Sequence, residues 1–171
     1  MRMFGSTSRF RLLAGLFSVI VFTGAQCGSP SDQQQAVVGT NSGVVAPTEV
    51  ANLYTLINQE RANRGLGSLT LDTTIQTVSQ QISDDHVAAN VDAYDFAIAG
   101  LDAPTRLRSA GISFNQSVHI GAMDFILGVD VLNALIAVDS SIFTDGNLTR
   151  IGLGQSTSVS HNFWTVIVVD Q

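Results

Sequence analysis

The chain contains no lysine and a single cysteine, and charged residues make up only 13% of its 171 residues. A lone cysteine excludes a disulfide-stapled scaffold and any zinc module built from paired cysteines. The 14 acids against 8 arginines give a formal net charge of −6, which repels phosphate backbones and argues against a nucleic-acid partner. With 45% hydrophobic residues, the chain is too apolar to be disordered, and its length predicts one domain.

The first 27 residues have the pattern of a secretory signal peptide. Three arginines, Arg2, Arg9 and Arg11, precede an apolar run over residues 12–25, and small residues end the run where a signal peptidase would cut. The run is shorter than the roughly 20 apolar residues that span a bilayer as a helix. The sequence therefore predicts export, with no transmembrane helix in the mature chain. That mature chain keeps 5 arginines against 14 acids.

Cys27 leaves two forms of export open. A cysteine directly after the apolar run is similar to the start of a bacterial lipoprotein, in which this residue is acylated. Gln26 stands directly before it, where such signals prefer a small residue. Cys27 is therefore a lipidation candidate, and ordinary secretion after cleavage at Ala25 is the alternative.

Residues 28–47 are predicted to form a flexible linker. The segment is rich in Gln, Ser and Gly, contains two prolines and lacks hydrophobic periodicity. Such a composition cannot bury enough apolar surface to order itself. The folded domain is then expected to cover residues 48–171.

The first half of this domain has helical patterns. Apolar residues at helical spacing predict a helix over residues 48–63, with Thr48 as its cap, and a second helix that begins after a cap at Asp72. The apolar stripe of the second helix consists of Ile75, Val78, Ile82, His86 and Ala89. His86 is therefore expected to point inward. Pro104 suits the first turn of a short third helix that ends at Gly111.

The second half of the domain has mostly strand patterns. Strands are predicted over residues 117–123, 150–154 and 163–169, and a helix is predicted around residues 129–136. The last strand is apolar on both faces, which predicts a central position in the sheet. Because most predicted helices come before most predicted strands along the chain, the sequence indicates an α+β layered domain.

Four short motifs occur in order along this domain. They are residues 56–66 (LINQERANRGL), 106–111 (RLRSAG), 151–154 (IGLG) and 163–166 (FWTV). Together they resemble the bacterial branch of the CAP superfamily, the SCP-like domains of cysteine-rich secretory, antigen 5 and pathogenesis-related proteins. The resemblance covers essentially the whole domain and implies a three-layer α-β-α sandwich.

The resemblance also implies a central cleft in which two histidines and two acids can hold a divalent metal. This sequence departs from that pattern: the corresponding positions hold Ile82, Asp95 and Val118, and the segment 139–143, which includes Ser141, has no histidine. A valine has no lone pair to offer a metal. The usual metal chemistry of the cleft is therefore predicted to be lost.

Three histidines remain, and two of them have a functional alternative. His86 is predicted to be a core histidine with hydrogen-bonded ring nitrogens, with a place in the cleft as the alternative. His119 is predicted to lie at the surface of its strand, with a pair to Asp95 in the cleft as the alternative; such a carboxylate would raise the pKa of the histidine. His161 is predicted to be a solvated loop residue.

The sequence thus predicts an exported CAP-like domain without catalysis and without a cofactor. Its partner would be an envelope or extracellular ligand, whether protein, lipid or glycan. One alternative is a divalent-metal site, such as a zinc site with hydrolytic activity, rebuilt around His119 and Asp95. Another is a lipid or sterol carrier. The cleft candidates are Asp95, His119, His86 and Ser141, and no residue is assigned a catalytic role.

Overall fold

The computed structural model describes residues 32–39, 45, 47–94, 102–138 and 140–171. Its elements are, in order, β1 (Asp32–Val38), α1 (Thr48–Asn63), β2 (Thr70–Leu71), α2 (Thr73–Ala89), α3 (Ala103–Ser109), β3 (Ser117–Met123), α4 (Gly128–Ala137), β4 (Arg150–Thr157) and β5 (Asn162–Val169), with a short 3-10 helix at Ser141–Phe143 before β4. The predicted signal peptide, Cys27 and Asp95 lie outside the described residues. No helix within the described ranges is long and apolar enough to cross a membrane.

The strands form one mixed sheet in the order β1-β3-β5-β4-β2. The last strand of the chain, β5, is central, as its apolar faces predict, and it pairs antiparallel with β3 and β4. The outer strands β1 and β2 pair parallel with β3 and β4.

Helices cover both faces of the sheet. On one face, Trp164, Val166 and Val168 of β5 pack in a hydrophobic cluster with residues of α1 and α4. On the other face, Phe163 and Ile167 pack in a second cluster with residues of α2 and α3. This alternation along β5 produces a three-layer α-β-α sandwich, which confirms the predicted fold class.

Strand β1 lies within the segment 28–47 that the sequence analysis assigned to a flexible linker. Its residues pair with the whole of β3, from Asp32 beside Ser117 to Val38 beside Met123. Val37 is fully buried and joins the cluster on the α1 side of the sheet. The apolar end of the strand supplies buried surface that the Gln-rich composition of the whole segment concealed. The sheet therefore includes residues that composition alone assigns to a tether.

The two long helices have the bounds that their patterns predict. Pro47 rather than Thr48 occupies the cap position of α1, and it makes no side-chain cap bond. Asp72 caps α2 as predicted, because its carboxylate accepts hydrogen bonds from the backbone N–H groups of Thr74 and Ile75. The α2 stripe is buried except for Ala89 at its last residue, which is exposed.

Arg61, in the first motif, is fully buried. Its guanidinium donates hydrogen bonds to the backbone carbonyls of Gly67 (2.8 Å), Leu148 (3.1 Å), Asp145 (3.2 Å) and Ile142. These bonds join α1 to the loop that leads into β4. Burial lowers the pKa of Arg61, and the nearby Asp145 opposes that shift. The motif arginine therefore has a structural role in positioning this loop.

Candidate functional site

A buried polar cluster lies between α2 and the sheet. It consists of Ser83 and His86 from α2, Tyr94 from the segment that follows α2, His119 from β3 and Thr165 from β5. The most exposed of these side chains is that of Tyr94, at 7%, while His119 is 2% exposed. His119 is therefore not at the surface of its strand, where the sequence analysis first placed it.

The hydroxyl groups and His119 form one hydrogen-bonded chain. Ser83 Oγ donates to Thr165 Oγ1 at 2.8 Å, and the Tyr94 hydroxyl lies 2.6 Å from Thr165 Oγ1 and 3.1 Å from His119 Nε2. Thr165 Oγ1 has one proton and two lone pairs, and His119 Nε2 is a donor or an acceptor according to the tautomer of the ring. The chain therefore links the three hydroxyl groups to His119 Nε2.

Burial sets the charge state of the cluster. It lowers the pKa of His119 to about 3, and the neighbouring His86 lowers that pKa further, while Asp102 opposes the shift. Burial also raises the pKa of Tyr94 above its ordinary value. Both groups are neutral at neutral pH. In the pKa of His119, desolvation outweighs the charge of Asp102.

His86 is a core residue of this cluster. Its Nδ1 lies 2.7 Å from the carbonyl oxygen of Ile82, one turn earlier in α2, and its ring lies 4.0 Å from the Tyr94 ring and 5.2 Å from the Phe163 ring, centroid to centroid. The hydrophobic periodicity of α2 correctly predicts that His86 points inward. A Cβ atom at Gly121 would also overlap the Tyr94 ring. Tyr94 therefore fills a space shaped by His86 and Gly121.

The sheet separates Ser141 from His119. Ser141 Oγ donates to Gln33 Oε1 at 2.8 Å, and Gln33 shares a face of β1 with Val37, which packs on the α1 side. His119 contacts Tyr94 on the α2 side. The two cleft candidates therefore do not converge.

Two of the positions that the resemblance aligns with metal ligands also lie on opposite faces of the sheet. Val118 packs in the cluster on the α1 side, and Ile82 packs in the cluster on the α2 side. Within the described ranges, no group of three or more His, Cys, Asp or Glu side chains is placed to hold a metal ion.

His161 lies in the loop before β5 and is partly exposed, as predicted, and it also contacts two carboxylates. Its Nδ1 lies 3.1 Å from both carboxylate oxygens of Asp124, and its Nε2 lies 3.6 Å from Asp92. Asp124 has a φ of 61°, a left-handed conformation that is uncommon for residues other than glycine. These contacts could not be predicted from local sequence, because both acids are far from His161 along the chain.

Sequence reasoning also missed Tyr94 and Thr165. Thr165 lies within the FWTV motif, where the motif indicated a strand and no function. Tyr94 directly precedes the candidate Asp95, and no periodic pattern marks it as buried. Its position depends on a space that only the folded sheet creates.

Comparisons with known proteins bear on the fold of this chain. No family model and no curated protein matches the sequence. The solved structures that are similar to the chain include three from bacteria. An extracellular protein containing an SCP domain from Bacillus anthracis has a TM-score of 0.62 at 18% identity, over 76% of this chain and 45% of that one. An outer surface protein from Borrelia burgdorferi has a TM-score of 0.66 at 17% identity, over 77% of this chain and 99% of that one.

The third structure is a cysteine-rich secretory protein from Staphylococcus aureus, with a TM-score of 0.58 at 12% identity, over 73% of this chain and 39% of that one. The chain thus spans less than half of the Bacillus and Staphylococcus proteins. At these identities the likeness concerns the fold, and the chain has the fold of bacterial CAP/SCP domains.

Proposed function

We propose that the chain is an exported, non-catalytic binding module with the CAP/SCP fold, which binds a ligand or partner at the cell envelope or outside the cell. The observation that carries this proposal is the closure of the polar cluster around His119. The ring of His119 is 2% exposed, and its Nε2 is hydrogen-bonded to the Tyr94 hydroxyl. A substrate therefore has no access to the ring in this structure.

The electrostatics of the cluster support a non-catalytic role. A general base works best when its pKa lies near the working pH. With a pKa of about 3, His119 is too weak a base for that task at neutral pH. A metal at Nε2 would also have to displace the Tyr94 hydroxyl, which lies 3.1 Å from this nitrogen. The cluster is instead a buried hydrogen-bonded network that holds Tyr94 between α2 and the sheet.

Export is proposed from two independent observations. Residues 1–27 have the order of charge, apolar run and small residues that signal peptidases recognise. The similar structures come from proteins described as extracellular, outer-surface or secretory. We expect a bacterial host to export the full chain, and cell fractionation with the mass of the mature protein measures this. Retention in the cytoplasm at full length would contradict export.

The form of export is tested at Cys27. An acylated mature chain beginning at Cys27 would incorporate labelled palmitate, and Cys27→Ser would abolish the label. A mature chain that begins at Gln26 and carries no label would establish ordinary secretion.

The binding role is tested by retention on bacterial cell envelopes. The purified protein, without an anchor, is incubated with envelopes and pelleted. We expect the pelleted fraction to be unchanged by EDTA and unchanged in His119→Gln, with circular dichroism showing that the variant is folded. No retention, or retention that EDTA abolishes, would contradict the proposal.

A further inference from the structure

His161 lies between two carboxylates at one end of the sheet. Its Nδ1 lies 3.1 Å from both carboxylate oxygens of Asp124, which directly follows β3. Its Nε2 lies 3.6 Å from Asp92 Oδ1, in the segment after α2. The Phe163 ring of β5 lies 6.1 Å away, centroid to centroid. Among the described residues, Asp92 and Asp124 are the charged groups that contact the ring, so one carboxylate faces each ring nitrogen.

Only the protonated ring of His161 attracts both carboxylates. A neutral imidazole has one N–H group and one nitrogen lone pair, whereas an imidazolium has an N–H group on each nitrogen. An ionised carboxylate accepts hydrogen bonds and donates none. Beside a neutral ring, one of the two carboxylates therefore faces a lone pair, which repels it. Because a histidine side chain gains or loses its charge between about pH 5 and pH 8, the contacts of His161 depend on pH.

The two carboxylates differ in how firmly the protein holds them. The N–H of Asp124 donates to the carbonyl of Asn162 at 2.9 Å, and the Asp124 carboxylate accepts from the N–H of Asn162 at 3.3 Å. Asp92 has no such support, since its side chain is 97% exposed and its one ion pair within the described ranges is that with His161. A change in the charge of His161 therefore acts on Asp92 and leaves Asp124 in place.

Asp92 belongs to the short segment that joins α2 to Tyr94. Val91, beside Asp92, is half-buried and packs against the hydrophobic cluster on the α2 side of the sheet. Tyr94 follows two residues after Asp92 and is hydrogen-bonded to His119. A contact at Asp92 therefore acts on the segment that brings Tyr94 to the buried polar cluster.

We propose that His161 is a proton-operated clasp on this segment. In the protonated state the ring attracts Asp92 and ties residues 91–94 to the loop between β4 and β5. When the proton on Nε2 is lost, the remaining proton stays on Nδ1, beside Asp124, and Asp92 is released. The clasp thus adds a pH-dependent restraint to the segment that carries Tyr94. It goes beyond the proposed binding function and does not depend on it.

The test measures the order of this segment by NMR relaxation at two pH values. They lie on either side of the titration of His161, which the signals of its ring nitrogens report. We expect the order parameters of the backbone amides of residues 91–94 to be about 0.85 at the lower pH, the value of a rigid backbone, and to fall towards about 0.6 at the higher pH.

Asp92→Asn removes the charge that the clasp attracts, and the exposure of Asp92 means that this change leaves the packing intact. The segment of this variant should have the lower order at both pH values. Asp130→Asn is the matched control, because Asp130 lies in the first turn of α4 and no contact between described residues joins it to His161. This control should behave like the parent protein.

The inference is overturned if the order of residues 91–94 in the parent protein is the same at both pH values. It is equally overturned if the fall persists in Asp92→Asn, or if the segment of that variant stays rigid at the lower pH. His161→Gln is a second variant, which is neutral at both pH values and should have the lower order at both. A rigid segment in His161→Gln, with circular dichroism showing that the variant is folded, would also overturn the inference. The envelope assay tests the binding function without reference to this clasp.

Discussion

At the scale of single residues, the hydroxyl of Tyr94 is shared between a histidine and a threonine inside the protein. It lies 3.1 Å from His119 Nε2 and 2.6 Å from Thr165 Oγ1. Removing a buried hydroxyl leaves its partners without that bond, and this costs more than the bond itself contributes. The cluster is therefore expected to contribute strongly to stability.

Tyr94→Phe tests this contribution, because it removes only the hydroxyl. We expect a loss of about 1–3 kcal/mol in the free energy of unfolding, measured by urea denaturation. The matched control is Tyr54→Phe, whose hydroxyl donates to the carbonyl of Leu69 at 2.9 Å in a half-buried setting. A loss of about 0.5–1.5 kcal/mol is expected there. Equal losses in the two variants would show that the buried hydroxyl of Tyr94 contributes no more to stability than the half-buried hydroxyl of Tyr54.

His119 also predicts a pH dependence of stability. Its pKa is about 3 in the folded protein, against an ordinary value of 6.5. Between these values the unfolded chain binds a proton that the folded protein does not, so stability is full above about pH 6.5 and falls as the pH is lowered. We expect His119→Gln to lose less stability than the parent protein between pH 7 and pH 5, by at most about 1.4 kcal/mol per pH unit. Parallel stability curves for the two proteins would contradict this.

At the scale of the elements, the IGLG motif has a packing explanation. Ile151 and Leu153 point to the α1 side of the sheet, and Gly152 and Gly154 point to α2. A Cβ atom at either glycine would overlap the backbone of α2, at Ile75 or at Ser79. The two glycines of the motif therefore allow α2 to approach β4 closely.

The behaviour of β1 explains why His119 was misplaced by sequence reasoning. The helices α1 and α2, the strand over residues 117–123 and the central β5 could be predicted, because their periodicity is local. The Gln-rich segment that forms β1 has no such signal. With β1 paired to it, strand β3 is an interior strand of the sheet. His119 on this strand contacts Tyr94, and no local pattern encodes the strand pairing or the contact.

Val37→Ala tests whether this segment belongs to the fold. Val37 is fully buried, and removing two methyl groups from the core is expected to cost about 1.5 kcal/mol. Val159, in the loop between β4 and β5, is fully exposed, so Val159→Ala should change stability by less than about 0.5 kcal/mol. Urea denaturation compares the two. If Val37→Ala is as neutral as Val159→Ala, residues 32–38 behave as a linker.

At the scale of the whole molecule, the sandwich has a mostly apolar interior, and the chain has a net negative charge. The fold class could be predicted from four ordered motifs, and the similar structures confirm it. The candidate site could be predicted only in part: periodicity placed His86, whereas Tyr94 and Thr165 required the folded sheet. Asp95, the proposed partner of His119 in a rebuilt metal site, lies outside the described residues.

The hypothesis that the protein carries a lipid or sterol stays a prediction. Incubation of the purified protein with phospholipid vesicles, followed by extraction and mass spectrometry, measures whether lipid remains with the protein.

The central claim is that the cluster around His119 is structural and binds no catalytic metal. The most direct measurement is the melting temperature of the purified protein with and without excess zinc, together with His119→Ala. We predict the same melting temperature in both conditions, and a lowering by His119→Ala that zinc does not alter. A metal at 100 times its dissociation constant would stabilise the protein by about 2.7 kcal/mol, or about 5–15 °C for a domain of this size. Such a rise, lost in His119→Ala, would contradict the account.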